Sequence, residues 1–223
     1  MTVPEILYKY KNISSESGQR FTRSLLVDGA LYFASPEELN DPFEIHFLLS
    51  LGDKPESELT ASQRYAINNL AYHMRKSMGI LSLTAKCDDI LMWSHYADSH
   101  KGICIGFTTS GESDFFQFAQ PVIYSSSLLT LTPSTKNKRE LAELTKYKQW
   151  EYEEEWRIID RKGPGVRSFP QSHIASIILG SSISDQNRNL VFEWVGQMKH
   201  TVSVFETRLN QQSYKVEIHS VAA

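Results

Sequence analysis

The sequence holds only two cysteines, Cys87 and Cys104, in 223 residues. Two thiols cannot build a metal cluster by themselves or a disulfide-dense scaffold. Cys104 sits in the apolar run Ile103-Cys104-Ile105 and is expected in the core, as free cysteines usually are. Cys87 follows a strand and is expected nearer the surface. No apolar run approaches the ~18 residues of a membrane helix, and the first residues, Met1-Thr2-Val3-Pro4-Glu5, lack the basic and apolar regions of a signal peptide. The expectation is a cytoplasmic protein with no membrane partner. A Walker loop, GxGxxG, GxSxG and HExxH are all missing, which removes the commoner nucleotide-, hydrolase- and zinc-enzyme readings. The formal net charge is −3, so nothing global favours tight duplex DNA binding, which depends on neutralising phosphates. A local basic groove remains compatible with that charge.

What is present is the balance of a globular chain, 41% hydrophobic and 22% charged. We expect a single domain over residues 1–223. Ile6–Tyr10 alternates and reads as a strand. Residues 14–28 carry Phe21, Leu25 and Leu26 at helical spacing, and Gly29 follows where a C-terminal cap belongs. Residues 30–34 read as a strand, and Ser35-Pro36-Glu37-Glu38 as the start of a short helix. Thr60–Met78 reads as a long helix with Tyr65, Leu70, Met74 and Met78 on its apolar side. Strands are expected over 79–84, 102–108, 121–124, 154–160, 175–180, 202–206 and 214–219. Helices are expected over 88–99, 136–148 and 185–199, the last capped by Asp185. Residues 125–138 read as a polar loop. Strands and helices intermix without a βαβ rhythm, so the expected class is α+β, with a mixed, mainly antiparallel sheet and flanking helices.

Four polar clusters stand out. In Glu151-Tyr152-Glu153-Glu154-Glu155-Trp156-Arg157, an extended chain puts Glu153, Glu155 and Arg157 on one face and Glu154, Trp156 and Ile158 on the other. Neighbouring carboxylates raise one another's pKa, and Arg157 offsets this. Such a group suits holding a sugar hydroxyl or stabilising a cationic transition state; a solvated acidic turn is the plain alternative. In Met92-Trp93-Ser94-His95-Tyr96, Trp93 and Tyr96 share a helical face and His95 is turned away. Trp93 is expected in the core, with Tyr96 or His95 as a pocket wall. His95 and His100 are five apart, not the helical spacing of a zinc pair, so no metal site is assigned. In Asn40-Asp41-Pro42-Phe43-Glu44, Asn and Asp cap a turn, unless Asp41 or Glu44 reaches a pocket. In Tyr8-Lys9-Tyr10, Lys9 faces away from two tyrosines, either snorkelling outward or entering a cleft.

The strings LYKY at 7–10, LYFASPEELNDPFE at 31–44, GILSLT at 79–84, LMWSHYADSHKGICIGF at 91–107, VIY at 122–124 and YEEEWRI at 152–158 occur in that order. Together they resemble domain-of-unknown-function family 2971 of bacteria, which carries no assigned reaction. The opening is an aromatic strand, a helix ending in glycine, then a strand ending in serine. It is also similar to the start of ADP-ribosyltransferase-like domains, including DNA-modifying toxins of toxin–antitoxin pairs. This second resemblance implies an ADP-ribosyltransferase-like fold and cleavage of NAD, as substrate, by Glu155 with Glu153 in the late ExE-like strand start. It places Lys9 and Ser35 at the family's first- and second-strand positions, although Lys9 stands where the family has His or Arg. Lys9 would lie near the phosphates or adenosine ribose, and Tyr96 or Tyr10 would stack on the nicotinamide. His95 and Arg157 complete the expected binding set. The acceptor would be nucleic acid, protein or water, in a defence or stress setting. Glu155 is expected to serve the transition state and not the fold. Two rival readings remain: a non-catalytic ligand-sensing or partner-binding module, and a nucleic-acid-cleaving toxin using His95 with acidic partners.

Overall fold

The computed structural model describes residues 2–50, 58–111, 113–132 and 134–221. Its centre is an eight-stranded sheet built from β1 (Ile6–Lys11), β4 (Gly79–Thr84), β5 (Ile103–Thr108), β6 (Gln120–Pro121), β10 (Glu155–Asp160), β12 (Ile174–Leu179), β13 (Ser203–Leu209) and β14 (Val216–Ser220). The spatial order is β14-β13-β12-β5-β1-β4-β10-β6. Every neighbouring pair is antiparallel except β12 and β13. A parallel pair needs a crossover, and helix α5 (Asp185–Gln197) provides it. The class is α+β with a mainly antiparallel sheet, as expected.

Three two-stranded ribbons surround the sheet: β2 (Ala30–Phe33) with β11 (Gly165–Ser168), β3 (Phe47–Leu49) with β8 (Leu129–Leu131), and β7 (Ile123–Ser125) with β9 (Thr145–Tyr147). Residues 125–138, expected to be loop, therefore contain a strand. Its pairing partner lies some eighty positions away, so no local pattern announces it. The expected helix over 136–148 is only α4, Lys138–Leu144. Its charged periodicity continues past Leu144, but the chain turns into β9 and a 3-10 turn at Lys148–Glu153, which buries Lys146 instead of leaving it on a solvated face.

Local signals are otherwise realised. Helix α1 (Glu16–Asp28) is capped by Ser15, whose hydroxyl accepts from the Gly18 amide, and ends at Gly29 with φ 65°. Helix α2 (Ala61–Lys76) starts on a Thr60–Gln63 capping box. Tyr65 was expected on the buried side of α2 but is 71% exposed; the side chains of Leu70 and Met74 lie outside the described residues. On α5 it is Ser184, not Asp185, that caps, accepting from the Asn187 amide. Asp185 stands one position inside, favourable to the helix dipole.

Both faces of the sheet are covered, which is why β5 is buried at five successive positions. On one face Leu7, Leu83, Ile105, Phe107 and Trp156 pack against Leu25 and Leu26 of α1 and Val191 and Trp194 of α5. On the other, Tyr10, Cys104 and Ile178 pack against Met92 and Trp93 of helix α3 (Ile90–Tyr96). Strands β1 and β4 pair at one position, Tyr8 with Thr84, and then part. Ala34, just beyond β2, takes over the pairing with Ile80 at the start of β4. That split is where the site forms.

Candidate functional site

Row by row across the sheet, Tyr8, Thr84 and Glu155 stand in register on β1, β4 and β10. They lie on the α3 side. Between the parted strands, Lys9 donates from Nζ to the carbonyl of Ser82, 2.9 Å away, filling a ladder position that β1 has left. A pocket of about 250 Å³ opens there, lined by Lys9, Tyr10, Tyr96, Lys146, Glu153 and Glu155 with Asn40 and Glu44. The 31–44 string contributes Glu38–Asn40 and Glu44, α3 contributes Met92 and Tyr96, and the YEEEWRI string contributes the two glutamates.

Glu153 and Glu155 do not meet by strand alternation. Glu153 closes the 3-10 turn, and Glu154 adopts a left-handed conformation (φ 41°) before β10 begins. The kink turns both flanking carboxylates inward. Lys146 ties them together, bonding Glu153 Oε2 and, at 2.9 Å, Glu155 Oε2. Glu154 points out and pairs with Lys86 at 2.8 Å.

Beneath the pocket lies Arg157, fully buried, and every one of its five donors is used. Its Nε and Nη2 grip Glu155 at 2.9 and 3.1 Å, its Nη1 and Nη2 grip Glu44 at 2.6 and 2.9 Å, and Nη1 also reaches the carbonyl of Glu143 at 2.8 Å. The result is a buried assembly of three carboxylates (Glu44, Glu153, Glu155) and two cations (Lys146, Arg157). Burial alone would push Glu155 up, but Arg157 and then Lys146 outweigh it and hold the carboxyl at about 2. Burial pushes Glu153 up, and Lys146 and Tyr96 do not cancel it. Glu44 is likewise raised by burial against the pull of Arg157. Lys9 is pushed down to about 7, by burial and then by Lys11, with Glu155 opposing.

Tyr96 donates its hydroxyl to Glu153 Oε1 and accepts from Asn40 Nδ2 at 2.6 Å. Tyr10 is buried edge-on against Trp93, ring centroids 5.0 Å apart, with its hydroxyl on the carbonyl of Lys86. Trp93 is fully buried and donates its indole N–H to the carbonyl of Cys87 at 2.8 Å, so the division of α3 into a core tryptophan and a cleft tyrosine matches expectation.

The pocket thus brings together Lys9, Tyr10, Tyr96, Glu153 and Glu155. Three expected members stand outside it. Ser35 begins the 3-10 turn Pro36–Glu38, its amide held by Glu38 Oε2 at 2.7 Å; the turn, not the serine, lines the pocket. His95 is exposed, its Nδ1 3.0 Å from the Tyr152 hydroxyl, because the helical rotation that admits Tyr96 turns His95 out. Arg157 has no donor left for a ligand. Glu155, expected to be dispensable to the fold, instead anchors two buried cations. Asp41 caps its own turn through the Phe43 amide, while Glu44 reaches the pocket. Lys146 was missed, since its sequence neighbourhood reads as a surface helix.

Among the described residues no group of His, Cys, Asp and Glu has a metal-holding arrangement, and no helix is long and apolar enough to cross a membrane. No curated protein and no solved structure matches the chain; the likeness to ADP-ribosyltransferase-like domains rests on the order of elements read at the start of the sequence and on the ExE-like stretch at Glu153–Glu155 alone. The stretch from Met92 to Ile158, which carries most of α3, Lys146 and the two pocket glutamates, matches the family model described as a protein of unknown function, DUF2971.

Proposed function

We propose that this pocket binds NAD and cleaves its nicotinamide–ribose bond, in the manner of an ADP-ribosyltransferase or NAD glycohydrolase. The observation that carries the reading is the convergence of Lys9, Tyr96, Glu153 and Glu155 on one pocket from three separate chain segments. The division of labour between the carboxylates differs from that expected of Glu155 alone. Both carboxylates have both oxygens held, but Glu155 alone is gripped by Arg157, which lies outside the pocket lining, so its part is to position Lys146 and fix the local charge. Glu153 is the group suited to the reaction. It lines the pocket, its partners Tyr96 and Lys146 are themselves pocket residues, and burial raises its proton affinity.

In this scheme Glu153 holds a ribose hydroxyl and stabilises the positive charge that grows as the C1′–N bond breaks. The bonding pair leaves with the nicotinamide nitrogen. An oxygen or nitrogen nucleophile, from water, protein or nucleic acid, forms the new bond at C1′, and its proton passes to Glu153 or solvent. A non-catalytic ligand-sensing pocket is the second reading, favoured by the saturation of Glu155, which is the state of a preformed binding frame.

The test pairs calorimetric NAD titration with chromatographic detection of released nicotinamide, the parent beside Glu153→Gln. The expected result is binding by both and a loss of about 10²–10³ in release rate for the variant, the worth of one transition-state contact. NAD binding with no release by the parent, whether nucleic acid, protein or only water is offered, would favour the sensing module. No binding at millimolar NAD would remove both NAD readings.

A further inference from the structure

The face of β1 that looks towards α1 carries Leu7, then Lys9, then Lys11, by simple alternation. Leu7 is core. The two lysines line a second pocket, of about 200 Å³, whose walls include Ser24 and Leu25 of α1 and the half-exposed Phe21 and Tyr32. It shares Lys9, Leu39 and Ser82 with the first pocket, so the two lie on either side of the split between β1 and β4. No carboxylate lines it. Lys9 satisfies one of its three protons on the Ser82 carbonyl. The Lys11 ammonium has no hydrogen-bond or ion-pair partner among the described residues. Two partly buried ammonium groups with no carboxylate in the pocket lining are costly unless something supplies the charge.

We infer that this second pocket is an oxyanion site, taking a phosphate or pyrophosphate group of a small ligand between Lys9 and Lys11 with the Ser24 hydroxyl as a further donor. The chemistry follows from the lining: two point-charge donors two residues apart on one strand, a hydroxyl on the facing helix, and apolar walls that exclude water and strengthen the attraction. The site stands whether or not the first pocket cleaves NAD. Its charge balance is also pH-sensitive. Burial lowers both lysines, Lys9 to about 7. A bound anion favours their charged forms, so binding takes up protons and weakens as pH rises. The other ionisable groups nearby are Tyr32, whose hydroxyl is held by Glu38, Arg20 stacked over Phe21, and Glu155, which acts on Lys9 from β10.

The test is calorimetric titration of the whole chain with pyrophosphate and with sulfate, whose charge is constant near neutrality. The parent should bind both, with sulfate affinity falling as pH rises through about 7. Lys11→Met should weaken binding by about tenfold or more, the worth of a charge-assisted hydrogen bond. The same variant should melt at or above the parent temperature, because it removes an uncompensated charge; the loss of binding is then not unfolding. Lys101→Met, at an exposed lysine outside the pocket, should bind as the parent does. ADP as a third titrant assigns the source of the anion: tighter binding than pyrophosphate marks a nucleotide, and equal binding marks a free phosphate-type ion. The inference is overturned if the parent binds neither pyrophosphate nor sulfate at millimolar concentration. It is also overturned if Lys11→Met binds like the parent, or if Lys101→Met loses as much, which would mark general surface attraction.

Discussion

Arg157→Met is the perturbation that tests the buried frame most directly. The substitution keeps an apolar stem but removes five donors that serve Glu44, Glu155 and the Glu143 carbonyl. Glu155 would retain Lys146, whereas Glu44 would be left in the interior without an ion-pair partner among the described residues. Breaking one side of a buried pair typically costs about 3–5 kcal/mol. Against a usual total of about 5–15 kcal/mol, the variant should be marginal, and urea unfolding at neutral pH measures the difference. The pH dependence has a definite sign. Glu44 is already raised by burial and, without Arg157, is raised further. The folded variant then binds a proton that the unfolded chain does not, between the ordinary carboxylate pKa and the raised one, so its stability falls as pH rises through that window. The deficit against the parent should therefore shrink on going from neutrality to about pH 5. Glu155 acts the other way in the parent. Held at about 2, it stabilises the fold above the ordinary carboxylate pKa, and that contribution is lost as pH falls from there through about 2. Adding Glu44→Gln to Arg157→Met should cost less than the sum of the single changes, since the orphaned charge is gone. A neutral-pH loss for Arg157→Met under about 1 kcal/mol, the scale of exposed ion pairs, would refute the buried-frame argument.

Two further outcomes check the scaffold. Trp93→Ala should cost about 3–5 kcal/mol by urea unfolding, because a fully buried indole and its bond to the Cys87 carbonyl are both lost. A variant as stable as the parent would mean the α3 packing is wrong. Gly29→Ala should lower the melting stability by about 1–2 kcal/mol, the usual cost of a left-handed non-glycine residue; an added Cβ would also stand only 2.7 Å from the Phe169 carbonyl oxygen. No change on calorimetry would show that the α1 terminus relaxes freely.

The parts of the molecule legible in the sequence are those set by nearest neighbours. Ser15, Gly29 and Thr60 mark helix ends because capping is a matter of three or four residues. Helical rotation alone turns His95 to solvent and keeps Trp93 and Tyr96 on one face, and strand alternation sets Lys9 apart from its flanking tyrosines. The same alternation puts Lys11 on the face of Lys9. Strand alternation pairs Glu153 with Glu155 in the sequence, whereas in the fold the left-handed Glu154 is what turns both inward.

What tertiary structure alone decided is which charges are buried and who satisfies them. Arg157 meets Glu44 from 113 positions away, and Lys146 leaves a helical pattern to bridge two carboxylates that no local rule places near it. A charged side chain reads as solvent-exposed in any short window, because burial is costly without a partner. Only the folded chain brings that partner. The same long-range closure parts β1 from β4 and so makes a pocket out of residues that, in sequence, are ordinary strand and turn positions.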